Sequence, residues 1–299
     1  MKKVLVTGGT QFLSRYIAEY YVDKGYEVYV LNRNTKPQSA GVKLIEADRH
    51  NLGNVLKEHH FDVVFDVTAY NGADVNLLLD GLGVFEKYIL ISSSAVYPET
   101  AAQPFSEDLS IGDNKIWGAY STGKVEAEKA LLARVSDAYI LRPPYLYGEG
   151  NNVYREGFVF DCALADRPFY LPKDGEMKLQ FFYALDLCRF LDLLLEKQPA
   201  YRVYNVGNEE CISVKDWVTL CYEAVGKKVE YVRVHRDIDQ KQYFSFYDYE
   251  YSLDVSRQKA LMQNITSLSE GLKASFNWFV KNRDKVNIKP IIEFIDKNL

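Results

Sequence analysis

The 299-residue chain holds little of what binds metal or cross-links: four cysteines, four histidines and three methionines. Cys162, Cys188, Cys211 and Cys221 keep no metal-ligand spacing, and the first two fall in apolar helical patterns, where a free thiol acts as a small hydrophobe. His50, His59, His60 and His235 show no zinc-type pairing with cysteine or with one another. No metal is expected, and the thiols suit a reducing compartment. No apolar run is long enough to cross a bilayer, and Met1-Lys2-Lys3 leads straight into an apolar strand, so a cytoplasmic protein without membrane contact is expected. Long basic stretches are missing too. Pairs such as Lys2-Lys3 and Lys227-Lys228 stand in a chain of net charge −5 and pI near 5.6, which disfavours extended nucleic-acid contact. The remainder, 47% apolar and 26% charged, suffices for one large core or for a large core and a small lobe.

What is present begins with VLVTGGTQFLS at 4–14. Val4, Leu5 and Val6 form the continuous apolar run of a buried parallel strand, and Gly8-Gly9 let the backbone turn into an amphipathic helix marked by Leu13, Ile17, Tyr20 and Tyr21 and ended by Gly25. The free N–H groups of such a helix start suit the pyrophosphate of a dinucleotide, held by Gly8, Thr10, Gln11, Phe12 and Leu13; an ordinary strand-to-helix turn is the alternative. About 20 residues on, EVYVLNR (27–33) ends in Asn32-Arg33, where the ribose-reading residue is expected. A neutral Asn32 beside a phosphate-pairing Arg33 favours NADP over NAD, unless Arg33 is a solvated loop charge.

KLIEAD (43–48), DVVFDV (62–67), KYILISS (87–93) and AYILRP (138–143) add buried strands, with helical stretches between them that suit right-handed crossovers. The fold class is α/β, a Rossmann-type doubly wound parallel sheet. Asp48 and Thr68-Ala69 end two strands on the ligand-collecting edge; Asp48 either accepts from an adenine amino group or serves as a turn acid. After residue 150 aromatics and charges mix, with helices expected at 155–165, 184–196, 214–225 and 268–283 and with Ser213 and Gly226 bounding the third. We therefore expect a cofactor-binding domain over 1–150 and a smaller substrate lobe over 151–299, interleaved with the last sheet elements.

A strand ending in Ser92-Ser93-Ser94 precedes a helix in which Tyr120 and Lys124 share one face. A phenol must lose roughly 3 pKa units to act as a base near neutrality, and an adjacent ammonium favours the phenolate while a serine hydroxyl holds the reacting oxygen. Tyr20-x-x-x-Lys24 has the same spacing, but Tyr20 is expected on the core face of its helix.

The ordered segments VLVTGGTQFLS, FDVVFDVTAY, ISSSAVYPE, YSTGK, ILRPPYLYGEG, DGEMKLQFFYALDL and VYNVGNEECISVKDW resemble the extended short-chain dehydrogenase/reductase superfamily in its NAD-dependent epimerase/dehydratase branch. That resemblance implies Tyr120 as catalytic acid/base, Lys124 as the residue that positions the cofactor ribose and lowers the tyrosine pKa, and Ser93 as the hydroxyl partner, with Ser94 as a substitute. It implies Pro143 and Tyr145 beside the nicotinamide of NAD or NADP, a nucleotide-sugar substrate and a homodimer. Substrate contacts are expected at Ser94, Tyr97, Asn152, Arg155 and Lys178. The Asn usual in UDP-sugar epimerases is replaced by Tyr145, and their diphosphate-binding Arg aligns near Leu179. The Asp-Glu pair of sugar dehydratases is missing at Ser93-Ser94-Ala95, which leaves 4-epimerisation or carbonyl reduction. The tail with YFSFYDYEYSLDVSRQKAL (243–261) also resembles the chloroplast stem-loop-binding branch. An RNA-binding relative and a non-turning nucleotide sensor are the competing readings, although the aromatics at 243–251 alternate like a half-buried strand.

Overall fold

A computed structural model describes residues 1–235 and 237–299. The chain divides into two compact units: Met1–Pro144 with Leu187–Val206 and Leu253–Gln263, and Tyr145–Asp186 with Gly207–Ser252 and Asn264–Leu299.

In the first unit the chain runs β1 (Lys3–Thr7), α1 (Phe12–Asp23), β2 (Glu27–Asn32), β3 (Lys43–Glu46), β4 (His60–Asp66), α2 (Gly72–Gly81), β5 (Val84–Ile91), α3 (Ala119–Arg134) and β6 (Tyr139–Arg142). It then builds, in the other unit, β7 (Tyr145–Tyr147), α4 (Glu156–Leu164), β8 (Phe169–Pro172), β9 (Lys178–Leu179) and β10 (Phe181–Tyr183). Helix α5 (Ala184–Lys197) leads back to β11 (Val203–Asn205), which completes a seven-stranded sheet of order β11-β6-β5-β4-β1-β2-β3. Every ladder in that sheet is parallel. The strands carry apolar runs because both faces are covered: Val4, Leu5, Val6, Val64, Phe65, Ile89, Leu90 and Ile140 are all fully buried. The strand order reverses between β1 and β4, and ligands of open α/β sheets collect at such a point.

The rest of the chain adds β12 (Ile212–Ser213), α6 (Val214–Val225), β13 (Tyr231–Val234), α7 (Gln240–Tyr243), α8 (Ser256–Leu261), α9 (Leu268–Asn282) and α10 (Ile291–Asn298). Among its described residues the second unit has three two-stranded ladders, β7–β10, β8–β13 and β9–β12, with α6 packed on α4 and α9. Phe181 stacks on Trp217 at 5.5 Å, and Phe246 meets Trp217 edge-on at 5.2 Å. Ser213 caps α6 by accepting from the Asp216 N–H at 3.0 Å, and Gly226 closes it in the left-handed region.

Two expectations are corrected. Residues 244–251 form no strand: Phe244, Phe246 and Tyr251 are buried by an irregular segment after α7, so the alternation of burial comes from turns and not from a pleat. Tyr20 is half-buried and donates to Asp192, which also takes Lys24; Tyr21 fills the core.

Candidate active site

The turn after β1 has the shape that a pyrophosphate requires. Gly8 and Gly9 take φ of +90° and +85°, and a Cβ on Gly8 would lie 2.9 Å from Ser14 Oγ and from Thr68 Cγ2. Gln11, the N-cap of α1, makes no side-chain capping bond, so the first-turn N–H groups receive no acceptor from it. Thr10 and Phe12 are half-buried and Leu13 is buried, while Gln11 is exposed. These residues fit a bound dinucleotide phosphate.

Around the turn the other expected cofactor residues are only in part free. The Asn32 amide donates to the Gly8 carbonyl at 2.7 Å and exchanges bonds with Gln38, and its oxygen accepts from the Asn34 N–H at 2.9 Å. Arg33 is exposed. Asp48 acts as a turn acid: it accepts from the His50 N–H at 2.9 Å, the first cause of its lowered pKa. Thr68 Oγ1 accepts from Arg49 at 3.2 Å. Arg49 in turn grips the fully buried Asp66 bidentately at 2.8 and 2.9 Å, and Tyr88 and Thr7 donate to the same carboxylate. This network joins the ends of β1 and β4 to the Asp48 turn.

Helix α3 presents Tyr120 and Lys124 on one face. Lys124 is 3% exposed, and its ammonium donates to the carbonyls of Ala69 at 2.8 Å and Ile91 at 2.9 Å. Burial pushes its pKa down to about 8, against the smaller opposing pull of Asp66 and Glu128. The same nitrogen lies 5.9 Å from the centre of the Tyr120 ring and 5.5 Å from that of Tyr70. Tyr120 is 41% exposed and Tyr70 58%, with ring centres 6.5 Å apart. Two phenols thus flank one desolvated ammonium at the carboxyl end of the sheet.

Ser93 and Ser94 start the loop after β5: Ser93 Oγ accepts from the Ala95 N–H at 3.2 Å, and the Ser94 N–H donates to the Pro143 carbonyl at 2.9 Å. Below them Arg142 pairs with Glu128, both buried, and donates to the Tyr97 hydroxyl at 2.8 Å. Tyr97 donates onward to Asn205 at 2.7 Å, and burial pushes its pKa up to about 12. Tyr97, expected at the substrate, is instead fully buried with its hydroxyl consumed inside the first unit.

In the second unit Tyr145 is buried against Phe246, with centres 4.7 Å apart, and Arg155 lies over its ring at 5.0 Å. The Asn152 carbonyl accepts from the Asn287 N–H at 2.9 Å. Lys178 stands apart from these in β9, exposed, with its backbone N–H bonded to Glu250.

A model of the "NAD dependent epimerase/dehydratase family" matches residues 4–81 and 78–207. The chain belongs to that family. Membership places this epimerase/dehydratase relative among NAD-dependent enzymes. It is similar to the "Chloroplast stem-loop binding protein of 41 kDa b" of Arabidopsis thaliana, with 27% identity over 92% of this chain and 79% of that protein. It also resembles a trifunctional UDP-glucose 4,6-dehydratase/3,5-epimerase/reductase of the same plant, with 24% identity over 94% of this chain; the chain spans about half of that enzyme, 47%. Among solved structures it is similar in fold to UDP-glucuronic acid 4-epimerase from Bacillus cereus, determined with UDP-glucuronic acid and NAD. The TM-score is 0.72 at 21% identity, covering 93% of this chain and 99% of that one.

For this member of the epimerase/dehydratase family, sequence reasoning missed Tyr70, Arg49 and the Arg142–Glu128 pair. Tyr70 carried a signal, since it follows Thr68-Ala69 at a strand end. The two arginines carried none, because their partners lie 14 and 17 residues away.

Proposed function

We propose that this chain is a sugar-nucleotide epimerase or carbonyl reductase, with 4-epimerisation preferred, that uses Tyr120, Lys124 and Ser93. The single observation that carries the reading is the burial of Lys124 with no carboxylate paired to it among the described residues, its ammonium aimed by two carbonyls beneath an exposed Tyr120. A buried ammonium left unpaired costs several kcal/mol, and stabilising a phenolate above it offsets that cost.

In this reading the Tyr120 phenolate takes the proton of a sugar hydroxyl and returns it after the carbon has been re-reduced on its other face. Lys124 holds the phenolate form by its charge, and Ser93 donates to the oxygen as it becomes a carbonyl. Bound NAD or NADP supplies a hydride acceptor and, on return, the donor. Gly8, Thr10, Gln11, Phe12 and Leu13 would hold the pyrophosphate, with Asn32, Arg33 and Asp48 toward the adenosine, and Arg33 would admit the 2′-phosphate of NADP. Pro143 and Tyr145 would border the nicotinamide. The first unit would carry the cofactor and the second the substrate, in a cytoplasmic homodimer. No helix of the described residues is long and apolar enough to cross a membrane.

Tyr120→Phe tests the chemistry. Turnover of UDP-glucose or UDP-glucuronic acid should fall by roughly 10²–10⁴-fold with cofactor binding unchanged, and undiminished turnover would sink the assignment. The stem-loop-binding relative supports a second reading, RNA binding. Salt-dependent retention of RNA with no turnover of either nucleotide sugar would favour it.

A further inference from the structure

Two of the three N–H groups of Lys124 are spent on the Ala69 and Ile91 carbonyls, and the third has no acceptor among the described residues. The nitrogen stands 5.5 Å from the Tyr70 ring centre and 5.9 Å from that of Tyr120, and the two centres are 6.5 Å apart. The three points form a nearly even triangle, with each ring inside the roughly 6 Å over which an aromatic face attracts a cation. Lys124 is buried while both rings reach solvent, so the rings stand between the ammonium and water.

Tyr70 is held in this place by its backbone. Its N–H donates to the Asp74 carboxylate at 2.7 Å, and its carbonyl packs on Gly123. The residue before it, Ala69, supplies one of the carbonyls that hold the ammonium, so ring and ammonium are placed by consecutive residues. The Tyr70 hydroxyl has no hydrogen-bond partner among the described residues, which leaves the ring as the part of the side chain that meets the site.

Neighbouring charge does not satisfy this ammonium. The groups that act on it are Asp66 at the end of β4, Glu128 in α3, Arg49 in the turn after β3 and Asp74 in α2. Each acid is engaged elsewhere: Asp66 by Arg49, Glu128 by Arg142, and Asp74 by the Tyr70 N–H and the His50 ring. Burial outweighs them and holds Lys124 below the ordinary lysine range. Water at the ammonium would return the lysine toward its ordinary basicity and would screen the charge that favours the Tyr120 phenolate.

We propose that Tyr70 is a positioning residue whose ring keeps water from the Lys124 ammonium and so preserves the strength of that charge at Tyr120. This rests on the Tyr120 reading for the reaction and on the ring geometry for the ammonium. The Tyr70 hydroxyl takes no part.

The test compares Tyr70→Ala and Tyr70→Phe with wild type in the whole chain. Tyr70 is more than half exposed and its backbone bonds stay in place, so both variants should fold; Tyr70→Ser, which also removes the ring, repeats the reading where Tyr70→Ala does not. The first readout needs no substrate: urea unfolding between pH 8 and pH 10, each protein measured against its own Lys124→Met partner. Wild type and Tyr70→Phe should gain stability over that range, and Tyr70→Ala should lose most of the gain because its hydrated ammonium titrates closer to 10.5. The second is the pH profile of kcat/KM for UDP-glucose or UDP-glucuronic acid with NAD present. Its acid limb should move up by about one pH unit in Tyr70→Ala and stay in place in Tyr70→Phe. A full stability gain retained by Tyr70→Ala, or none in wild type, overturns the shielding whatever the rates do. Equal impairment of Tyr70→Phe overturns it in favour of a working hydroxyl. The expected urea series from a wild type that turns over neither sugar sinks the epimerase reading and leaves the shielding of Lys124 standing.

Discussion

The carbonyl oxygen of Tyr70 packs so tightly on Gly123 that a Cβ there would stand 2.2 Å from it. The Tyr70 N–H is held at the same time by the Asp74 carboxylate at 2.7 Å. The segment after β4 and helix α3 are thus locked face to face, one residue before Lys124 and one residue after Ala69, whose carbonyl orients the ammonium. Backbone oxygen cannot yield as a side-chain end can. Gly123→Ala should therefore push α3 away, destabilise the protein by about 1–3 kcal/mol and weaken catalysis together, read by urea unfolding and turnover. An alanine variant with wild-type stability and rate would show that the contact is not a constraint.

Gly9 is the corresponding point at the phosphate turn. A Cβ would meet Val30 Cγ1 at 2.4 Å with φ at +85°, so alanine is both crowded and strained. Gly9→Ala should lose cofactor. Purified protein, denatured and chromatographed with mass detection, should release NAD(H) or NADP(H) from wild type and little from the variant; equal release would refute the placement of the phosphate.

Lys124 makes stability depend on pH with a definite sign. Its folded pKa of about 8 lies below the ordinary lysine value of 10.5, so between those values the unfolded chain binds more protons and stability rises with pH. The cost of the buried charge is fully present below about pH 8 and is relieved by 10.5, up to roughly 3 kcal/mol. Against Lys124→Met, wild type should gain stability between pH 8 and pH 10 in urea titrations. Parallel pH profiles would contradict the desolvated ammonium.

The Arg142–Glu128 pair should be costly to break from one side. Glu128→Ala leaves a buried guanidinium beside Tyr97 without its counter-charge, an expected loss of about 3–5 kcal/mol. Glu128→Ala combined with Arg142→Met should lose less than the single change, and additive losses would mean the two side chains act independently.

The parallel sheet was legible because strands covered on both faces are written as unbroken apolar runs, and Ser213 and Gly226 marked α6 by their capping chemistry. Tyr120 and Lys124 were legible by helical spacing, which tertiary structure does not alter. The chain offered no such local signal for Asn32, whose amide is taken by the Gly8 carbonyl, or for Tyr97, whose hydroxyl is absorbed by Arg142 and Asn205. The short β9 and β12 ladder was equally invisible, since two residues carry no alternation.

The central sheet is finished late. Its outer strand, Val203–Asn205, arrives only after the chain has left the first unit at Pro144 and come back at Leu187, and Leu253–Gln263 returns once more. No single cut of the gene can therefore release the first unit intact. A fragment ending at Pro144 would expose the naked edge of β6, strip Phe105 of its bond from Asn205 and present an open template for aggregation. Trading this unit alone between proteins would need five crossovers, after Pro144, Asp186, Val206, Ser252 and Gln263.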